Sequence, residues 1–114
     1  MDAIGRFISD ENIARFVDQL RIEANPNREE MLKRLLVEEE NRFGATEERL
    51  GMVERQLSDG AAHIIRQTCI VAKLKCNGGD SAIAERALRA SEMIQALFEN
   101  FRAVICESRE LHRL

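Results

Sequence analysis

Apolar side chains recur at alternating steps of four and three residues through the middle of the chain. The positions in this stripe are Leu32, Leu36, Glu39, Phe43, Thr46, Leu50, Val53, Leu57, Gly60, Ile64, Gln67, Val71 and Leu74. Such spacing is the a/d pattern of a heptad repeat, which keeps one face of a helix turned toward a partner helix. The only proline, Pro26, lies upstream of the stripe, so it interrupts nothing. The pattern predicts a helix over residues 26–76.

Cap residues separate this helix from a shorter one before it. An apolar face predicts a first helix over residues 10–24, with Asp10 as its N-cap; the face consists of Ile13, Phe16, Val17 and Leu20. Asn25 is a favourable N-cap and Pro26 fits the first position of a helix. The pair therefore ends the first helix and starts the second.

A last helix is predicted over residues 81–111. The segment Asn77-Gly78-Gly79-Asp80 supplies a left-handed C-cap for the long helix and then a new N-cap. The heptad stripe of the last helix is Ile83, Ala87, Ala90, Ile94, Leu97, Phe101, Val104, Ser108 and Leu111. A second stripe beside it is Ala84, Ser91, Phe98 and Ile105. We expect this helix to return antiparallel along the second half of the long helix.

Two glycines bear on whether residues 26–76 form one helix. Gly44 and Gly51 each cost about 1 kcal/mol relative to alanine inside a helix, so a break near Gly44 is an alternative. A loop would normally reset the heptad phase, yet the phase of Leu36 continues through Phe43 to Leu50. This continuity favours one helix of about 50 residues, which at 1.5 Å per residue would be about 75 Å long.

The sequence predicts an all-α fold with residues 1–114 as a single domain, a coiled-coil hairpin that pairs with a second copy. Two-helix layers bury too little to be stable alone, and the stretch 61–76 is apolar in more directions than one neighbour can cover. A dimeric four-helix bundle would cover it; the alternative is a monomer in which the first helix does so. The residues expected in the core and interface are Leu32, Leu36, Phe43, Leu50, Val53, Leu57, Ile64, Ile65, Val71, Leu74, Ile94, Leu97, Phe98, Phe101, Val104 and Ile105.

Composition and charge pattern argue against nucleic acids and membranes as partners. Hydrophobic residues at 45% and charged residues at 32% are typical of a folded helical protein. The 17 basic residues are interleaved with 20 acidic ones, so no basic face for nucleic acid is expected. No apolar run approaches the ~18 residues of a membrane span. The N-terminal stretch MDAIGRFISDENIARF has no charged start followed by an apolar segment, so no secretion signal is expected. Three cysteines in helical pattern indicate reduced thiols and a cytoplasmic protein.

His63 is the main candidate for chemistry. The stretch from Ala61 to Cys69 resembles the phosphorylated-histidine motif of histidine phosphotransfer domains, which are helical bundles of about this length. In that family a lysine and then a small residue follow the histidine, and Arg66 could stand for the lysine. Gln67 replaces the small residue that gives access to the imidazole, and the turn at residues 77–80 comes too early for that fold. A surface histidine without catalytic function is the simpler interpretation.

No metal or cofactor is expected. Cys69 and Cys76 are seven residues apart, about 10 Å along a helix axis. That separation is too long for both to bind one zinc ion at about 2.3 Å. Within the run Glu38 to Glu40, only Glu39 falls in the stripe, where it is expected to pair with an arginine across the interface.

Three longer stretches carry a resemblance: LRIEANPNREEMLKRLLVEEENRFG, DGAAHIIRQTCIVAKLKCNGGD and ALRASEMIQALFENFRAVI. They are similar to small uncharacterised helical proteins of soil and plant-associated alphaproteobacteria. The resemblance implies a bacterial, cytoplasmic protein and supplies no functional residues. We therefore predict a non-enzymatic interaction module, a dimeric adaptor or regulator, with phosphotransfer through His63 as the alternative.

Overall fold

The computed structural model describes residues 3–42 and 47–113, and all regular structure in that part of the chain is helical. The helices are α1 (Ala3–Ile22), α2 (Pro26–Asn41), α3 (Glu47–Cys76) and α4 (Ala82–Arg113). The all-α prediction is confirmed. The described residues form four helices where the heptad pattern predicted three.

Helix α1 begins earlier than predicted. Its buried face starts at Ser9, which is 1% exposed, and continues through Ile13, Val17 and Leu20. Asp10 does not cap a helix there, because it lies inside α1 and its carboxylate accepts a hydrogen bond from Arg49 at 3.4 Å. The extra turns of α1 thus bring polar side chains to the start of α3.

The boundary between α1 and α2 follows the predicted cap. Asn25 has extended backbone angles, and its side-chain oxygen accepts a hydrogen bond from the backbone N–H of Asn27 at 2.9 Å. Pro26 occupies the first position of α2, where its missing N–H costs nothing. The prediction that Asn25 and Pro26 start the second helix is confirmed.

The single helix over residues 26–76 is replaced by α2 and α3. Glu40 near the end of α2 lies 3.7 Å from Arg49 in the first turn of α3, measured from Oε2 to Nη1. Along one continuous helix these residues would be about 13 Å apart. The chain therefore changes direction between α2 and α3, and the predicted stripe positions Phe43 and Thr46 lie outside the described residues. Folding back lets Leu36 and Val53 share a core, which buries more apolar surface than a single rod.

All four helices contribute to one hydrophobic core. α1 packs against α2 and α4, and α3 packs against α4. The buried members are Ile13, Val17, Leu20, Leu32, Leu36, Met52, Val53, Leu57, Ile94, Phe98, Phe101 and Ile105. Part of the cover that the sequence assigned to a second copy is therefore supplied by α1, as in the monomeric alternative.

Three contacts fix the direction of α4 along α3. Arg109 lies 3.6 Å from Glu47 at one end, and Gln95 donates a hydrogen bond to the backbone carbonyl of Leu57 at 2.9 Å. At the other end Lys75 of α3 pairs with the first turns of α4. The two helices are therefore antiparallel, and the described part of the molecule is elongated, with extents of 56 × 26 × 22 Å.

The buried face of α4 lies between the two predicted stripes. Its buried residues are Ser91, Ile94, Phe98, Phe101 and Ile105. Two members of the predicted main stripe are open to solvent, Val104 at 52% and Ile83 at 81% exposure. The physical reason is that α4 packs against both α3 and α1, so the core lies between the directions of these two neighbours.

Candidate interaction surface

One face of α3 presents small and apolar side chains to solvent. Its members repeat at steps of four and three residues, and we call them the outer face of α3: Ser58, Ala62, Ile65, Cys69, Ala72 and Cys76. All six are exposed, and Ile65 is 65% exposed. On the opposite side of the same helix, Val53, Leu57 and Val71 are buried. Helix α3 therefore has two heptad faces, and the described part of the chain covers only one of them.

Hydrogen bonds define the turn from α3 to α4. Gly78 has φ of 71°, a conformation that favours glycine. The backbone N–H of Gly79 donates to the carbonyl oxygen of Leu74 at 2.9 Å, which closes α3. The side chain of Asp80 accepts from the backbone N–H of Ala82 at 2.9 Å and caps α4. The predicted C-cap and N-cap in this segment are both present.

An ion pair links the last turn of α3 to the first turn of α4. Lys75 Nζ lies 2.8 Å from Glu85 Oε1, and this hydrogen bond and charge lower the pKa of Glu85. Because both side chains are open to water, the pair adds little stability and mainly aligns α3 with α4. Ile70 and Ile83 near this end are 46% and 81% exposed. Apolar side chains are thus exposed on both helices near this end.

A further apolar area lies at the other end. An open groove of about 350 Å³ runs between the end of α2 and α4. Val37, Leu97, Phe101 and Val104 are among the residues that line it. The first turns of α1 also expose Ile4, at 71%, and neighbouring apolar residues. The groove residues and Ile4 lie on other helices, so they are apolar areas separate from the outer face of α3.

The predicted core and interface residues fall into four groups. Buried are Leu32, Leu36, Val53, Leu57, Val71, Ile94, Phe98, Phe101 and Ile105, and half-buried are Leu50, Ile64, Leu74 and Leu97. Ile65 and Val104 are exposed, and Phe43 lies outside the described residues. The two exposed residues are far apart along the molecule, since one lies on the outer face of α3 and the other in the groove beside α2.

A buried ionic cluster connects α1, α2 and α3. Arg49 is 5% exposed, and its Nη2 donates a hydrogen bond to the hydroxyl oxygen of Ser9 at 3.0 Å. Its Nη1 lies 3.4 Å from Asp10 and 3.7 Å from Glu40. One guanidinium group therefore faces two carboxylates, and the cluster fixes how the first three helices meet. The heptad pattern gave no indication that this arginine is buried.

Two glutamates of α2 are buried, Glu39 and Glu40, whereas only Glu39 lies in the predicted stripe. Burial raises the pKa of Glu40 to about 7, although Arg49 opposes the shift, and Asp10 raises it further. Glu39 is also buried, and its carboxylate lies 4.0 Å from Arg42 at the end of the same helix. Within the chain, the arginine of another helix, Arg49, pairs with Glu40. The pairing of Glu39 with an arginine across a dimer interface stays a prediction.

His63 lies half-buried on α3. Burial lowers the pKa of its imidazole, and the guanidinium groups of Arg21 and Arg66 lower it further. A neutral imidazole is the nucleophilic form, and two nearby cations would favour a phosphoryl group. Gln67 is half-buried on the next turn, so the small residue that gives access to the histidine in the phosphotransfer motif is missing.

The cysteines form neither a disulfide nor a metal site in the described part of the chain. Cys69, Cys76 and Cys106 are free and exposed. Among the residues that the structure describes, no three His, Cys, Asp or Glu side chains cluster closely enough to bind a metal ion. Cys69 and Cys76 belong to the outer face of α3.

No protein-family model, curated protein or solved structure matches the chain. The resemblance to alphaproteobacterial helical proteins therefore stays a prediction. None of the described helices is both long and apolar enough to cross a membrane.

Proposed function

We propose that the protein is a non-enzymatic interaction module that associates with a second copy through the outer face of α3. The observation that carries the proposal is Ile65, an isoleucine 65% exposed at the centre of a face with heptad spacing. A heptad-spaced apolar face on an exposed helix typically packs against another helix. Exposed apolar surface of this kind usually marks an interface.

The dimer supports a role as an adaptor or regulator. Each copy would keep its apolar groove between α2 and α4 free at the opposite end, where Val104 is 52% exposed. A dimer of such modules would present two equivalent surfaces to other helical proteins. The three exposed thiols suit a reducing compartment, and we place the action of the protein in the cytoplasm.

Self-association is tested by light scattering after size-exclusion chromatography at micromolar concentration. We expect a mass about twice 13.0 kDa for the unaltered chain and near 13.0 kDa for Ile65→Asp. Ile4→Asp is the matched control, because Ile4 is 71% exposed and lies in the first turns of α1, away from the proposed interface. A mass near 13.0 kDa for the unaltered chain would exclude the dimer.

Phosphotransfer through His63 is the alternative function. The observation that favours it is the half-buried imidazole, whose pKa is lowered by burial and by the charges of Arg21 and Arg66. The test is incubation with a phosphorylated receiver domain, followed by detection of acid-labile phosphate on the chain. Transfer that is lost in His63→Gln would establish this function, and its absence in the unaltered chain would exclude it.

A further inference from the structure

Charged side chains flank the outer face of α3 in two rows with seven-residue spacing. One row consists of Asp59, Arg66 and Lys73, and the other contains Glu47, Glu54 and Lys75. All six side chains are exposed. In both rows the acidic residues come first and the basic residues follow. The segment 61–76 contains no acidic residue. Two of these charges have partners within the chain, Glu47 with Arg109 at 3.6 Å and Lys75 with Glu85 at 2.8 Å. The outer face therefore begins beside the acidic Glu54 and Asp59 and continues beside the basic Arg66 and Lys73.

This order of charges distinguishes the possible arrangements of two α3 helices. In a coiled coil, the residues that flank the apolar face meet across the interface and set the orientation of the partner. A parallel pair would place Glu54 beside Asp59 of the partner subunit, and two acids repel each other. An antiparallel pair places the acidic half of each helix against the basic half of the other.

The antiparallel arrangement also has a preferred register. If the two-fold axis passes between Ala62 and Ile65, each charged row faces the same row on the partner subunit, running in the opposite direction. Asp59 then faces Arg66 of the partner subunit. Glu54 faces Lys75 of the partner subunit, whose ammonium group is shared with Glu85 of its own chain, since that ion pair measures 2.8 Å. Symmetry doubles both pairs, so four pairs of opposite charge surround the apolar contact.

Shifts by one heptad weaken this match. With the axis moved toward Cys69, Arg66 meets Arg66 of the partner subunit, and only Asp59 still faces an opposite charge, Lys73 of the partner subunit. With the axis moved toward Ser58, Asp59 meets Asp59 of the partner subunit, and only Glu47 still faces an opposite charge, Lys75 of the partner subunit. Like charges opposite each other are unfavourable, so these registers are disfavoured by the same rows that support the first one.

We propose that two copies pair through the outer faces of their α3 helices, antiparallel, with the two-fold axis between Ala62 and Ile65. This inference rests on the proposed function, since it assigns the geometry of the same self-association. It places Ser58 opposite Cys69 of the partner subunit in one layer of the interface. The alanines at positions 62 and 72 let the helices approach closely in the adjoining layers.

Cysteine cross-linking tests the register. In a chain that carries Ser58→Cys with Cys76→Ser and Cys106→Ser, the S58C thiol should bond to Cys69 of the partner subunit under mild oxidation. A disulfide requires Cα atoms within about 7 Å, which only residues in one layer provide. We expect most of the chain to run at about twice 13.0 kDa on a non-reducing gel, with the linked peptides identified by mass spectrometry.

Two single-thiol chains are the matched controls. One keeps only Cys69, and the other carries Ser58→Cys with all three natural cysteines replaced by serine. In the proposed register the two copies of either thiol are eleven residues apart along the helices, about 16 Å, so neither chain should cross-link. Cross-linking of the Cys69 chain alone would place the axis near Cys69, and cross-linking of both would indicate a parallel pair.

The outcomes separate this inference from the proposed function. A dimer by light scattering in which a single-thiol chain cross-links, or in which no chain cross-links, overturns the register and leaves self-association standing. A chain of 13.0 kDa that forms no cross-link overturns both. Charge exchange gives an independent check: Asp59→Arg and Arg66→Asp should each raise the dissociation constant at least tenfold, and the double variant should restore it. A double variant as weak as the single ones would contradict the facing of Asp59 and Arg66 across the axis.

Discussion

Glu40 on α2 and Arg49 on α3 lie 3.7 Å apart, and each side chain is only 4% exposed. The pair holds α2 against the start of α3, and Arg49 also donates to Ser9 of α1 at 3.0 Å. A buried charge that loses its partner stays desolvated without compensation. The contact therefore makes the junction of three helices sensitive to either residue.

Arg49→Leu should lower the free energy of unfolding by about 3 to 5 kcal/mol, the usual cost of breaking a buried pair from one side. The loss arises because Glu40 and Ser9 keep their buried oxygens but lose the guanidinium group. Urea titration followed by circular dichroism at 222 nm measures it. The double variant Glu40→Leu with Arg49→Leu should recover most of the loss, since two apolar side chains replace the pair. Equal losses in the single and double variants would contradict a coupled pair.

The stability of the protein should fall as pH rises from about 4.5 to about 7, through the titration of Glu40. Its pKa is about 7 in the folded protein, above the ordinary value of 4.5. A raised pKa means that the folded state binds the proton more tightly than the unfolded state, so the stabilisation is complete below pH 4.5 and lost above 7. At about 1.4 kcal/mol per pKa unit, the contribution amounts to roughly 3 kcal/mol.

Glu40→Gln isolates that contribution from other titrations. The difference in unfolding free energy between pH 5 and pH 8 should shrink by roughly 2 to 3 kcal/mol in this variant, because glutamine does not titrate. Glu38→Gln is the matched control, since Glu38 is exposed on the same helix and should leave the profile unchanged. Identical pH profiles for Glu40→Gln and the unaltered chain would exclude Glu40 as the source.

The elements that local chemistry determines were predictable from the sequence. The cap at Asn25 and the turn at Gly78 depend on residues within a few positions, and both are as expected. The heptad spacing of Leu32, Leu36 and Val53 correctly indicated helices with one buried face. Periodicity does not indicate where a helix ends, so the favoured single helix over residues 26–76 was wrong. The alternative, a break near Gly44, agrees with α2 ending at Asn41 and α3 beginning at Glu47.

Contacts between distant residues account for the remaining differences. Arg49 pairs with residues about 40 positions away, and an arginine beside a stripe position is usually solvated. The phase of α4 depends on α1 as a second neighbour, which sequence spacing does not reveal. The exposed outer face was visible in advance, because Ala62, Ile65 and Cys69 lie off the first stripe. Whether α1 would cover it was a question of tertiary packing.

Gly60 and Gln95 should show coupled effects on stability. Gln95 Nε2 donates to the carbonyl oxygen of Leu57 at 2.9 Å, and a Cβ at position 60 would collide with the Gln95 amide. Gly60→Ala alone should change stability by less than about 0.5 kcal/mol, because the gain in helix propensity offsets the lost hydrogen bond. In a Gln95→Ala background the same substitution should stabilise by about 1 kcal/mol. Urea titrations of all four proteins measure the coupling, and additive effects would mean that the side chain moves aside without cost.

Substitutions along α4 test which of its faces is the core. Phe98 is 1% exposed and packs edge-to-face on Phe101, with ring centroids 5.3 Å apart. Phe98→Ala should therefore cost about 3 to 5 kcal/mol, whereas Val104→Ala, at a half-exposed position, should stay within about 0.5 kcal/mol. Leu57→Asp and Phe101→Asp should each cost several kcal/mol, because they bury a charge among apolar side chains. Urea titration gives all four values, and a larger loss for Val104→Ala than for Phe98→Ala would mean that the heptad stripe through Val104 is the buried one.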